Sequence, residues 1–352
     1  MALTGLADKR IEFFDYLRAL AIFLVIVAHH RLSELPGGSI GVSLFFCLSG
    51  FLITALLLDE ETLTGPTAWR FIIRRFMRVY PAYLATLIFL LFMMAVKGNP
   101  LLPGYLQALP GLLFFASLPS TWLGMGTGVL WTLHVEFWFY VSMPLLMMLV
   151  GRGKGLLAAA VVLICASYVL KVFAADSAVT LPGFSPLQLL IWIDTLLYGA
   201  IVAIVARSDT LHLQRWIAWP LVLCGVVGIV AIALWVPNTR VPTWFIESTV
   251  ASILTAAILC AYSSAPFTFH VAPLAWFGRI SYSIYLLHAI SLDYHIEVWP
   301  LKGKELRAFL VVSILVLALH YGVEKPGIRL GRRLTSRKDR LDPQREQEMT
   351  RI

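Results

Sequence analysis

Residues 14–29 read Phe14-Asp15-Tyr16-Leu17-Arg18-Ala19-Leu20-Ala21-Ile22-Phe23-Leu24-Val25-Ile26-Val27-Ala28-His29. An aspartate, an arginine and a histidine interrupt a run that otherwise reads as a membrane-spanning helix. At 100° per residue, the eleven steps from Arg18 to His29 close three turns plus about 20°, so both side chains leave the helix on one face, roughly 16 Å apart along its axis. Asp15 lies one turn before Arg18 and within about 40° of His29. A charge at the centre of a spanning helix costs about 2.5–3.5 kcal/mol on insertion scales, which keeps such residues facing protein or a wet cavity. Either Asp15 and Arg18 pair near the cytoplasmic interface with His29 at the outer one, or the three line a cavity. In the second case neutral His29 acts as a base and Arg18 supplies positive charge.

The rest of the chain fixes the solvent. Its 352 residues are 59% hydrophobic and 14% charged, with mean hydropathy +0.81. No soluble core needs that. The pattern predicts an all-α, polytopic integral membrane protein with about ten transmembrane helices, near residues 12–30, 41–58, 79–96, 129–150, 156–173, 187–206, 217–236, 244–262, 279–298 and 306–323. The apolar segment 106–118 is short and bracketed by prolines, and reads as re-entrant or interfacial.

Lysine and arginine placement orients the bundle. With both termini cytoplasmic, the inner side collects Lys9, Arg10, Arg70, Arg74, Arg75, Arg78, Arg152, Lys154, Arg207, Arg215, Arg279 and the basic C-terminal stretch. The outer side keeps Arg31, Lys97, Lys171, Arg240, Lys302, Lys304 and Arg307. The net charge of +8 is mostly this bias, attracts anionic lipid, and gives no reason to expect nucleic acid as a partner. Residues 1–330 are expected to form one membrane-embedded domain, followed by a basic cytoplasmic tail at 331–352. The first apolar run runs past any small-residue cleavage site, so it is expected to be retained. Cys47, Cys165, Cys224 and Cys260 lack CxxC spacing and read as packing residues, with no metal site expected.

Four further stretches carry candidate chemistry. In the second span, Ser43, Cys47, Gly50 and Thr54 form a small-residue face, with Ser49 beside it. Such a face serves close helix packing, or leaves a gap that admits a substrate chain. Before the third span, Arg70, Arg74, Arg75 and Arg78 put four guanidinium groups within nine residues. They are snorkelling interfacial anchors or the holders of a substrate's phosphates. In the fourth span, Thr132, Glu136 and Tyr140 share a face beginning one residue after Trp131, and a carboxylate there needs a partner, Arg18 and His29 being the obvious ones. In the ninth, Ser281, Tyr285 and His288 align as another polar stripe.

In this order the motifs resemble the acyltransferase-3 family of bacterial integral membrane enzymes, which O-acylate surface glycans, Nod factors, peptidoglycan or macrolides. The resemblance covers nearly the whole chain. It rests on Arg18 through His29, on Ser49-Gly50-Phe51-Leu52-Ile53, and on Arg75-Phe76-Met77-Arg78 with Pro81 following. It rests equally on Trp131-Thr132-Leu133 with Glu136, Phe139 and Tyr140, on residues 281–288, and on Glu324-Lys325-Pro326. Tyr16 stands where the family often has glycine, and Thr132 where it has serine.

The resemblance implies O-acyl transfer, most often of acetyl, from cytoplasmic acyl-CoA to a sugar hydroxyl of an extracytoplasmic glycan such as O-antigen or exopolysaccharide. It implies a multi-pass protein of the bacterial inner membrane, alongside polysaccharide biosynthesis proteins, with acyl-CoA as substrate and no resident cofactor. His29, Arg18 and Glu136 are then the catalytic candidates, and Arg18, Arg74, Arg75 and Arg78 bind the donor. Asp15, Ser49, Gly50, Trp131, Tyr140, Tyr285 and His288 support them. The alternative class is a proton-coupled transporter of a small polar substrate, which also places ionisable groups on a wet path. Against it, no pair of broken helices recurs in two halves, and the basic face suits a phosphate-bearing donor.

Overall fold

The computed structural model describes residues 11–29, 38–100, 102–107, 109–113, 130–176, 186–208, 213–235, 244–266, 269–293 and 303–339. Among these every regular element is helical. In order they are α1 (Glu12–His29), α2 (Gly38–Asp59), α3 (Gly65–Val96), α4 (Leu102–Gln107), α5 (Leu109–Leu113), α6 (Trp131–Val150), α7 (Lys154–Asp176) and α8 (Pro186–Arg207). Then come α9 (Arg215–Trp235), α10 (Trp244–Ser264), α11 (Ala272–Arg279), α12 (Ser281–Asp293), α13 (Gly303–Leu319), a π-helical turn at His320–Glu324, and α14 (Lys325–Asp339). Among the described residues a helix lies on each of the ten expected spans, whose residues 30, 129, 236 and 294–298 are outside them. Eight of these helices are long and apolar enough to cross a membrane. α1, with its charges, and α12, with 13 residues, fall outside that set. The short segment 106–118 contributes to α4 and α5, while residues 114–118 lie outside the described ones.

At the centre α2 meets α8 at a contact only glycine permits. A Cβ on Gly50 would stand 1.8 Å from the Leu196 carbonyl oxygen, and one on Gly199 1.8 Å from that of Cys47. Without a solvophobic force between helices in lipid, this close approach supplies the packing that holds them. Gly50 therefore belongs to a helix crossing, which resolves the choice between packing and a substrate gap at that residue. α1 crosses α2 similarly, Gly41 lying against the Ala21 carbonyl, and Gly278 of α11 fits against the backbone of Asp15.

The arginine stretch is continuous with the third span. α3 is capped by Thr64, whose side chain bonds the Thr67 amide in a reciprocal box, and runs 32 residues from Gly65 to Val96, passing through Pro81. Proline at 81 removes the amide that would bond the Met77 carbonyl. Gly327 of α14 lies against that carbonyl, a Cβ there reaching it at 2.7 Å. α14 thus packs along the basic half of α3, with Gly331 against Met77 and with Arg74 Nε donating to Thr335 Oγ1 at 2.8 Å. α14 continues past residue 331, the expected start of the basic tail, as far as Asp339; residues 340–352 lie outside the described ones.

Lys171, grouped above with the outer-side cations, is fully buried on α7. Its Nζ lies 2.7 Å from Asp194 Oδ2 on α8, and Ser167 Oγ donates to the same carboxylate. The physical reason is pairing: neither charge is tolerated alone inside a bundle, and each neutralises the other.

Candidate active site

Five helices bring the predicted polar residues into one cleft. α1 contributes Arg18, α3 contributes Arg75, Arg78 and Val79, and α12 contributes Ser281, Tyr282 and Tyr285. α2 lends Val42, Phe45, Phe46, Ser49 and Leu52, and α6 lends Thr132, Leu133, Glu136 and Tyr140. The α2 and α6 residues recur at three- and four-residue spacing, so each helix shows the cleft a single face. The open volume is about 90 Å³, narrow enough that every lining group sits near another.

Ser49 Oγ donates to Glu136 Oε1 at 2.7 Å, tying α2 to α6. Arg18 Nη1 bonds Asp15 Oδ1 at 2.9 Å, the i,i+3 pair expected from the sequence. The Arg75 guanidinium lies 5.6 Å from the Phe71 ring centre and 5.7 Å from that of Tyr140, within cation–π reach of both rings. Arg18, Arg75 and Arg78 are close enough to feel one another's charge, and Glu136 and Tyr140 lie within the same field. With Asp15 and Glu136 as the carboxylates beside three guanidinium groups, the cleft carries surplus positive charge.

The cleft is polar at one end and apolar at the other. Along α6, Tyr140 lies beside Arg75, Glu136 bonds Ser49, and Thr132 Oγ1 meets the Tyr285 hydroxyl at 2.8 Å. Phe45 packs edge-on to Tyr285 there, and Val42 follows next to Gly41, which touches α1 between Ala21 and Val25. The apolar end therefore points along α1 toward its C-terminus. Tyr282 donates to the Val79 carbonyl at 2.8 Å and fixes α12 to α3. Behind it Glu324 of the π-helical turn accepts from Ser283 at 2.7 Å and meets His320 Nδ1 at 2.8 Å.

The structure separates the predicted residues into groups. Arg18, Ser49, Arg75, Arg78, Glu136, Tyr140 and Tyr285 line the cleft. Arg74 does not; it turns to Thr335. Gly50 faces α8, and Trp131 packs on Phe46 and Trp192, one layer behind the lining. His288 is buried with Nδ1 2.6 Å from the Tyr285 carbonyl oxygen, outside the cleft. Glu136 bonds Ser49, and its expected pairing with His29 falls on a side chain outside the described ones. His29 is the last residue of α1, and its side chain lies outside the described ones. Sequence reasoning passed over Phe45 and Phe46; their helical register with Ser49 was the available signal.

A family model described as an acyltransferase domain matches residues 11–323. The chain is 27% identical to the acyltransferase MdmB of Streptomyces mycarofaciens over 84% of its own length and 82% of the relative's. It is 28% identical to the peptidoglycan O-acetyltransferase OatA of Listeria monocytogenes, covering 81% of this chain and half of that protein. It is 25% identical to nodulation protein 10 of Rhizobium leguminosarum bv. viciae over 92% and 95% of the two chains. No solved structure matches. With the family's domain running from the start of α1 to the π-helical turn, the chain belongs to the acyltransferase-3 family and is a multi-pass membrane acyltransferase.

Proposed function

We propose that the protein moves an acetyl group from acetyl-CoA, entering from the cytoplasm, to a sugar hydroxyl of a glycan on the other side of the bacterial inner membrane. The observation that carries this reading is the surplus of guanidinium charge in an embedded cleft: Arg18, Arg75 and Arg78 stand together there, and such a site calls for an anion. The diphosphate end of a CoA ester is such an anion, and its thin, flexible arm suits the narrow apolar end beyond Ser49 and Glu136. The name of the Listeria relative supports acetyl as the group moved; because the chain spans half of that relative, its acceptor is not inherited.

In this scheme the acceptor oxygen attacks the thioester carbonyl, the carbon–sulfur bond breaks, and the proton lost by the hydroxyl passes to His29 and on to the departing thiolate. Arg18 holds the donor or the developing oxyanion. Glu136, anchored by Ser49 and beside Tyr140, positions Arg75. The roughly 16 Å of helix between Arg18 and His29 sets the separation of the donor's charged end from the acceptor side.

The test is radiolabelled acetyl-CoA supplied to protein in nanodiscs with envelope glycan as acceptor. Label should reach the glycan with wild-type protein and fail to do so with His29→Ala, while CoA binding persists. Equal transfer by the variant would refute the role of His29, and substrate uptake into proteoliposomes without CoA release would favour a transporter.

A further inference from the structure

Past Ser49 and Glu136 the described lining of the cleft carries no charged group, the Arg18 guanidinium turning back to Asp15. Along α2 the lining goes on to Phe46 and Phe45 and then to Val42, one to two turns or about 5–10 Å further, with Leu133 contributed by α6. The side-chain oxygens of this part are the Thr132 and Tyr285 hydroxyls, which meet each other at 2.8 Å.

The two phenyl rings here are backed on their far sides. The Phe46 ring centre lies 6.0 Å from Trp131 and 6.1 Å from Trp192, edge-on to both, and the two indoles lie 4.9 Å apart. The Phe45 ring stands edge-on to Tyr285 at 6.2 Å, and Tyr285 is tied to Thr132. Nor can the backbone beneath the rings retreat. On one side of them a Cβ on Gly41 would stand 2.6 Å from the Ala21 carbonyl oxygen of α1, and on the other Gly50 abuts Leu196 of α8. Such a wall reverses the usual trend of an apolar site. Where the lining yields, each added methylene of a ligand gains burial. Where it does not, the same methylene overlaps packed atoms and binding weakens.

We propose that Phe46, with Phe45 beside it, limits the length of the acyl group the cleft accepts, admitting acetyl and turning away butyryl and longer chains. The inference rests on the acyl-transfer reading, in which the thioester end of the donor lies beyond Ser49 and Glu136. Removing the Phe46 ring leaves a hollow continuous with the cleft and already walled by two indoles, so one substitution lengthens the space for an acyl chain without touching the arginines.

The test supplies acetyl-, propionyl-, butyryl- and hexanoyl-CoA to full-length protein in nanodiscs with envelope glycan, and reads CoA release as kcat/KM for each thioester. Wild type should favour acetyl over butyryl by at least about tenfold, the lower end of what one ill-fitting methylene does in an apolar pocket. Phe46→Ala should cut that preference several-fold, Phe46→Leu should cut it by less, and Phe45→Ala should move it in the same direction. Calorimetric titration with the four thioesters, each referred to free CoA on the same variant, gives a second readout: affinity should fall with chain length in wild type and level out in Phe46→Ala. A wild type that uses butyryl as readily as acetyl, or a preference unchanged in both Phe46 variants, overturns the proposal. If Phe46→Ala does not fold, Phe46→Leu and Phe45→Ala decide. Absence of CoA release from every thioester by wild type defeats the acyl-transfer reading, and the titration then decides whether the phenyl wall sorts chains by length.

Discussion

Ser49 and Glu136 meet across the α2–α6 boundary, the serine hydroxyl donating to the carboxylate at 2.7 Å, level with the arginines that give the cleft its charge. A carboxylate so placed has two tasks, accepting this bond and moderating the guanidinium field. Substitutions separate them. Ser49→Ala leaves a half-buried carboxylate short of one donor, a loss of about 1–3 kcal/mol seen as a lower melting temperature in nanodiscs. Glu136→Gln keeps an acceptor for Ser49 and removes the charge, so we expect little change in melting temperature and a fall in transfer of at least about tenfold.

Two adjacent arginines should behave differently. Arg75 lines the cleft and Arg74 bonds Thr335 on α14. Calorimetric titration should find CoA affinity about 10- to 100-fold weaker in Arg75→Ala, the size of one or two charge-assisted hydrogen bonds. Arg74→Ala should bind CoA normally and lower thermal stability instead. Equal weakening by both would place the donor along the whole basic face of α3.

At the α2–α8 crossing, Gly50→Ala or Gly199→Ala puts a methyl group 1.8 Å from a backbone oxygen, where no rotamer relieves it. The helices must separate, and we expect a loss of about 1–3 kcal/mol or more, read as early unfolding in a thermal scan.

The Lys171–Asp194 pair makes a double-mutant cycle. Lys171→Met or Asp194→Leu alone strands a buried charge and should cost about 3–5 kcal/mol, while the two together should recover most of it. Additive losses would show that the charges act independently.

Where the sequence was legible, cost was the reason. An ionised group in an apolar helix is improbable without a use, so Arg18, Arg75, Arg78 and Glu136 stood out, and all four line one cleft. Periodicity alone did not separate Arg74 from Arg75, because the distinction depends on where α14 docks, and α14 lies in a stretch too charged to read as packed. The pairing of Lys171 was hidden for a related reason: its partner Asp194 is on the next helix, and only the fold brings the two together. Phe45 and Phe46 were hidden by their ordinariness, since aromatic residues in a spanning helix signal nothing until a cavity is found beside them.

The crossing at Gly50 and Gly199 has a consequence for motion. Two backbones in direct contact cannot slide or tilt past each other without breaking it, so α2 and α8 form a stator. On the side of the cleft away from that crossing, α12 is tied through hydroxyl groups, Tyr282 to the Val79 carbonyl of α3 and Tyr285 to Thr132 of α6, bonds that a single substitution removes without touching a backbone contact.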